Sequence, residues 1–210
     1  GFGDSARKTD APLFDVELWV CQGLALLDTL PDGPCGVAGH SLGGALALKI
    51  AAVSDKVTHV LTSSTVGAPY PLTEALDMFW SLPADRAELR AAMENMMFDP
   101  SAVTDGMIEG RWDLLAQDGY AEYFGNMFAP PRQRYLDSGV VTDAELAALS
   151  DKKISMVHGT HDHPCPAELT TVKLGERLPH ATVELIENCG HNLPREFTDR
   201  YVKAATALFG

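Results

Sequence analysis

The sequence predicts an α/β fold, a mostly parallel sheet with helices on both faces and an inserted helical lid. Three observations predict it. Short apolar, β-branched runs alternate with helical stretches toward both ends of the chain; residues 70–150 read as helices alone; and a glycine-flanked serine stands where an apparent strand turns into an apolar helix.

The elements follow in order. Residues 14–30, with Leu18, Leu24, Leu26 and Leu27, read as a helix stopped by Pro31-Asp32-Gly33-Pro34. Residues 35–39 form a short apolar run. Residues 41–48 come next and are apolar almost all round, so as a helix they must be buried. Residues 57–62 are β-branched and read as a strand; 154–157 and 182–186 read as two more. Residues 166–178 have helical character between those two strands, and 197–209 close the chain as an amphipathic helix. Strand, helix, strand, then strand, helix, strand, helix is the order of a parallel sheet covered on both sides. In the middle, Pro83, Pro100 and Pro130-Pro131 break the chain into short helices, and Thr142-Asp143-Ala144-Glu145 has the capping-box spacing. Five of the seven methionines fall between Met93 and Met127, which together with the aromatics predicts an apolar lid. The sheet domain is expected from residues 1–69 and 151–210, the lid from 70–150. No internal repeat is present, which removes solenoid architectures.

Composition bounds the function. A chain of 210 residues can bury one sizeable core, and with 46% hydrophobic residues it is expected to be globular. The formal net charge of −13 excludes nucleic acid as a partner, because phosphate neutralisation needs a basic surface. No apolar run reaches the ~20 residues that span a bilayer, so no membrane association is expected. The cysteines, Cys21, Cys35, Cys165 and Cys189, have no CxxC spacing and are expected as four buried thiols in a reducing cytoplasm. The partner expected is a small molecule, an apolar or aromatic acid or ester.

The candidate site begins at Gly39-His40-Ser41-Leu42-Gly43, a G-x-S-x-G run between strand and helix. A serine hydroxyl is a weak nucleophile and must stand on a sharp, strained turn where a base and a substrate can both reach it. That turn calls for small neighbours, hence Gly39 and Gly43. The helix that follows aims its amides at the site, so the Leu42 backbone N–H is expected as an oxyanion donor. The acid is expected after the strand at 154–157, where His158-Gly159-Thr160-His161-Asp162 places Asp162 on a loop at the C-terminal edge of the sheet. The base is expected after the last strand, where Asn188-Cys189-Gly190-His191 places His191. Ser41, Asp162, His191 is the chain order of a strand-elbow triad. No metal or other cofactor is expected: His158, His161, His163 and Cys165 cluster in sequence, but their spacing fits neither HExxH nor a paired-cysteine site.

These residues together resemble the α/β-hydrolase superfamily, and within it the meta-cleavage-product hydrolases. Those enzymes hydrolyse a carbon–carbon bond in vinylogous 1,5-diketo acids derived from aromatic ring cleavage. Gly1-Phe2-Gly3-Asp4-Ser5 is similar to the loop after the family's fourth strand. Gly110-Arg111-Trp112 is similar to its lid-helix motif; Cys165-Pro166 and Cys189-Gly190-His191 are similar to its acid and base loops. The resemblance implies the α/β-hydrolase fold, Ser41, Asp162 and His191 as the catalytic triad, and Arg111 as a clamp on the substrate carboxylate. Trp112 and Asn192 are implied as further substrate-binding residues. It also implies that a dienol ketonises before Ser41 and water cleave the bond, through an acyl-enzyme or a gem-diol.

Two positions depart from the family. His40 stands where the C–C hydrolases commonly have Asn, and Asn192 where they typically place a tryptophan. A carboxylesterase or lactonase would use the same triad without Arg111, and a non-catalytic ligand-binding protein of the same fold is a second alternative. Ser41 at the elbow excludes the related dehalogenases and epoxide hydrolases, which carry Asp there. No HG-type oxyanion motif precedes Ser41, a loss of about 3 kcal/mol of transition-state stabilisation. The strand at 35–39, normally central, is expected at an edge. The sequence is therefore read as the C-terminal portion of a longer enzyme, or one that works paired with another chain, a homo-oligomer included.

Overall fold

The computed structural model describes residues 2–3 and 5–210; Gly1 and Asp4 of the loop at residues 1–5 lie outside the described residues. In chain order the elements are α1 (Val16–Asp28), β1 (Cys35–His40), α2 (Leu42–Val53), β2 (Val57–Ser63), α3 (Glu74–Trp80), α4 (Arg86–Glu94), a 3₁₀ turn (Pro100–Ala102) and α5 (Asp105–Leu115). They continue as α6 (Tyr120–Met127), α7 (Gln133–Ser138), α8 (Asp143–Ala148), β3 (Lys153–Gly159), α9 (Thr171–Arg177), β4 (Thr182–Ile186), α10 (Leu193–Glu196) and α11 (Thr198–Phe209).

The four strands form one parallel sheet in the order β1-β2-β3-β4, with β1 at an edge as expected. Side-chain alternation divides the core between its two faces. Val60, Ile154 and Met156 pack on one face with Ala47 and Leu48 of α2 and Leu174 of α9. Leu61 and Val157 pack on the other with Leu193 of α10 and the apolar side of α11. Such strands, buried on both faces, read as near-continuous apolar runs, and this is why β2 and β3 are legible.

Between β2 and β3 the described residues form no strand, only α3 to α8 and the 3₁₀ turn. Aromatic packing holds this insertion down. Phe14, just before α1, lies edge-on to Phe128 at 5.6 Å and 4.8 Å from Tyr135, and Trp80 stacks on Phe128 at 5.3 Å. The far end of the insertion behaves differently from the rest. Val141, Leu146 and Leu149 pack with Leu48 and Val57, and Lys49 of α2 pairs with Glu145 at 3.0 Å. The last helix before β3 thus belongs to the core of the sheet, although the lid is expected to run to residue 150. The capping box at Thr142 and Glu145 forms.

Two expectations need correction. The cysteines are all unpaired, but only Cys165 and Cys189 are buried; Cys21 is exposed on α1 and Cys35 half-buried on the edge strand. The helix expected at 166–178 spans only Thr171–Arg177, because residues 166–170 close tight turns through the Pro166 and Ala167 carbonyls. Among the described residues no helix is long and apolar enough to cross a membrane.

Candidate active site

The site forms where three parallel strands end on one side of the sheet. After β1 the chain reverses at Ser41, whose φ of 56° and ψ of −124° lie in a region an L-residue reaches only under constraint. The constraint is a set of hydrogen bonds: Ser41 N–H donates to Ser63 O at 2.9 Å, while Ser41 O accepts from Gly44 N at 2.9 Å. Leu42 is the first residue of α2, so its N–H has no acceptor within the helix and points with the helix N-terminus toward the serine.

The glycines around the elbow have unequal reasons. A Cβ on Gly39 would stand 2.0 Å from the Gly43 carbonyl oxygen, and one on Gly44 2.2 Å from Thr65 Oγ1, whereas a Cβ on Gly43 would meet nothing within 4 Å. The expectation that Gly43 is needed for space is therefore corrected; Gly44 carries that requirement. Gly39→Ala is expected to destabilise the protein by about 3 kcal/mol or more, and Gly43→Ala to change stability by less than about 1 kcal/mol. Urea denaturation of the two variants measures the contrast.

Asp162 follows β3 and His191 follows β4. His191 Nε2 lies 2.9 Å from Ser41 Oγ and its Nδ1 2.8 Å from Asp162 Oδ2. Asp162 is buried and accepts three hydrogen bonds, from His191, from Cys165 N–H at 2.7 Å and from His158 Nε2 at 2.9 Å. Burial works against its charge, but His191 and the bond from His158 outweigh it, and the carboxyl titrates well below its usual range. Burial likewise opposes a charged His191, and there the Asp162 carboxylate prevails, aided by Cys165, so the imidazole titrates well above the ordinary histidine value. The loop that carries His191 is tied to the helical insertion. Met96 O accepts from His191 N–H at 2.9 Å, and Glu196 accepts from Phe98 N–H at 2.7 Å and from Gly190 N–H at 3.1 Å.

His40 sits beside this chain with its ring 4.9 Å from that of His191 and its Nδ1 3.1 Å from Ser63 Oγ. Burial and then the His191 charge push its pKa down to about 3, so at neutral pH it is an uncharged neighbour. His158, which is not among the expected site residues, is fully buried against Asp162; its place four residues before the acid is the available signal.

Two cavities open on either side of Ser41. The larger, about 560 Å³, is lined by Trp19, Gln22, Phe128 and Arg111. The smaller, about 280 Å³, is lined by Met93, Met96, Met97 and Met107 together with Asn192. Arg111, on α5, lies over the rings of Phe79 at 5.6 Å and Phe124 at 5.9 Å. It is half-buried; burial lowers its pKa, with Tyr120 opposing. Trp112 is not in either cavity. Adjacent helix residues point about 100° apart, so with Arg111 turned inward Trp112 faces α4, where the Arg86 guanidinium lies 4.9 Å over its ring. Of the histidines near Asp162 in the sequence, His158 bonds to it, while His161 is exposed against Phe98 and His163 is exposed.

A serine on a strained strand-to-helix turn, hydrogen-bonded to a histidine that a buried carboxylate orients, defines the hydrolase class of parallel α/β proteins. The sequence profile of the Alpha/beta hydrolase family matches residues 1–204, and the chain belongs to that family. It is a hydrolase that resembles the meta-cleavage-product enzymes. It is 30% identical over 202 residues to the 2-hydroxymuconate semialdehyde hydrolase of Pseudomonas sp. (strain CF600), covering 96% of this chain and 70% of that one. It is 29% identical over 192 residues to a 2-hydroxy-6-oxo-2,4-heptadienoate hydrolase of Pseudomonas putida, covering 91% and 68%. The meta-cleavage product hydrolase of Pseudomonas fluorescens superposes with a TM-score of 0.88 at 26% identity, over 99% of this chain and 75% of that one.

Proposed function

We propose that this enzyme hydrolyses the carbon–carbon bond of a vinylogous 1,5-diketo acid, with Ser41 as nucleophile, His191 as base, Asp162 as acid and Arg111 as the carboxylate clamp. The observation that carries the reading is Arg111. A guanidinium held over aromatic rings, half-buried and in the same cavity as the nucleophile, is placed to pair with the carboxylate of a substrate that reaches Ser41.

With its carboxylate on Arg111, an extended substrate passes Ser41 and leaves its far acyl substituent in the methionine-lined cavity, whose flexible side chains adapt to alkyl or aryl groups. In the keto tautomer Ser41 Oγ adds to the distal ketone while His191 Nε2 takes its proton, and the Leu42 N–H donates to the oxyanion. When the carbon–carbon bond breaks, its electron pair moves through the enone onto the carbonyl oxygen beside the carboxylate, next to Arg111. His191 returns its proton to that dienolate, and the neutral imidazole then activates water to release the acyl group from Ser41. The net reaction consumes one water and yields two acids. The four unpaired cysteines support a reducing, cytoplasmic setting.

The departures at His40 and Asn192, both lining the cavities beside Ser41, favour a carboxylesterase or lactonase as the second reading. Arg111→Ala separates the two. Losing a charge-assisted contact is expected to lower kcat/KM on a ring-cleavage diketo acid by ~100-fold and on p-nitrophenyl butyrate by less than about threefold. Equal losses on both would make Arg111 structural and leave the esterase reading.

A further inference from the structure

We propose that His158 is a positioning residue for the acid of this site, dividing the Asp162 carboxylate with His191 and thereby setting how basic His191 is. The proposal rests on His191 being the base, as read above.

The geometry is specific. His158 is the penultimate residue of β3 and is fully buried. Its Nε2 lies 2.9 Å from Asp162 Oδ2 and 2.8 Å from Cys165 O, and its Nδ1 lies 2.6 Å from Thr171 Oγ1 at the start of α9. A carboxylate and a carbonyl are both acceptors, so Nε2 carries its hydrogen and is shared between them. Asp162 Oδ1 is taken by Cys165 N–H, while Oδ2 accepts from two imidazoles at once.

Two consequences follow. The three donors leave the carboxylate a single orientation, with Oδ2 toward His191. The His158 donor also draws charge from the same oxygen that stabilises a protonated His191, because a hydrogen bond to a carboxylate favours its charged form and weakens it as a partner for another cation. Removing that donor concentrates the charge on His191 and raises its pKa further. Raising the pKa of a base carries the acid limb of kcat/KM to higher pH, since the base works only when unprotonated.

The other groups facing His191 are few. They are Ser41 and His40 from the elbow, Asp162 and Cys165 from the loop after β3, and the Met96 carbonyl from the insertion. On its own loop, the Cys189 thiol is pushed up to about 12 by burial and by Glu196, and it stays neutral.

Two substitutions divide the functions of His158. The amide of glutamine reaches the place of Nε2, and that of asparagine only the place of Nδ1. His158→Asn keeps a polar group toward Thr171 but no donor to Asp162; His158→Gln keeps the donor. The expected result is an acid limb of kcat/KM, measured on p-nitrophenyl butyrate, displaced upward by on the order of one pH unit in His158→Asn and held near its wild-type position in His158→Gln. The imidazole resonances of His191, titrated by NMR in the substrate-free enzyme, should show the same difference. That readout does not depend on turnover, so it tests the coupling even if the assignment of His191 as base fails. Equal limbs and equal titrations in both variants, or a downward displacement, would overturn the proposal and leave His158 as packing. Should His158→Asn not fold, Thr171→Val, which loosens the ring from behind, replaces it with a smaller shift of the same sign expected.

Discussion

Ser41→Ala is expected to lower turnover of a diketo acid or an ester by about 10⁶-fold, while the substrate still binds. The size follows from what the hydroxyl does. Without Oγ no covalent acyl group forms, and His191 Nε2, otherwise 2.9 Å from Ser41 Oγ, has no nucleophile to deprotonate. On the proposed reading binding is supplied elsewhere, by Arg111 at one end and the methionine-lined cavity at the other. The dissociation constant, read by titrating the absorbance of the bound acid, should therefore change by less than about threefold. A variant that retains a hundredth of the activity would mean that Ser41 is not the nucleophile.

Asp162→Asn is expected to cost about 10⁴-fold in kcat. The substitution keeps shape and removes charge, and every group around it is a donor: Cys165 N–H, His158 Nε2–H and His191 Nδ1–H. The new amide hydrogens face those donors. His191 is driven to the tautomer with its hydrogen on Nε2, which cannot accept from Ser41. Breaking a buried charged network should also lower stability by about 3 kcal/mol near neutral pH. The sign of its pH dependence is set by Asp162, whose folded pKa is depressed. Its stabilisation is present above the ordinary carboxyl value near 4 and fades as pH falls through the lower folded value. The His191 contribution runs the other way, being present at low pH and lost as pH rises through its raised folded value. Chemical denaturation of wild type and variant across pH measures both.

The parts of this site that could be read from the sequence are those with local signals. Asp162 follows a run that is apolar because β3 is buried on both faces, Ser41 and His191 follow the shorter, partly exposed edge strands β1 and β4, and each of the three stands at a turn marked by glycine. Their order along the chain then places them on the same side of a parallel sheet. Arg111 has no such signal: an arginine on a helix is ordinarily solvated, and it was found through a motif resemblance. The same motif does not say which way Trp112 faces, since neighbours on a helix point about 100° apart. Gly43 and Gly44 could not be told apart, because which Cβ collides depends on Thr65, more than twenty residues away in the sequence. The packing of α8 on α2 was equally hidden. Amphipathicity shows that a helix buries one face; it does not say against what. His158 stands just past the expected strand at 154–157, and nothing local in the sequence marks its bond to Asp162.

Carbon–carbon bond hydrolysis at Ser41 is tested most directly by following the yellow dienolate of a ring-cleavage acid with the wild-type protein, the two products being separated and identified. Stoichiometric loss of colour should yield one carboxylic acid from the distal acyl group and one shorter 2-hydroxydienoate, and neither should form with Ser41→Ala. Persistence of the colour across a panel of such acids, with p-nitrophenyl butyrate cleaved readily by the same preparation, would contradict carbon–carbon bond hydrolysis and make the protein an esterase.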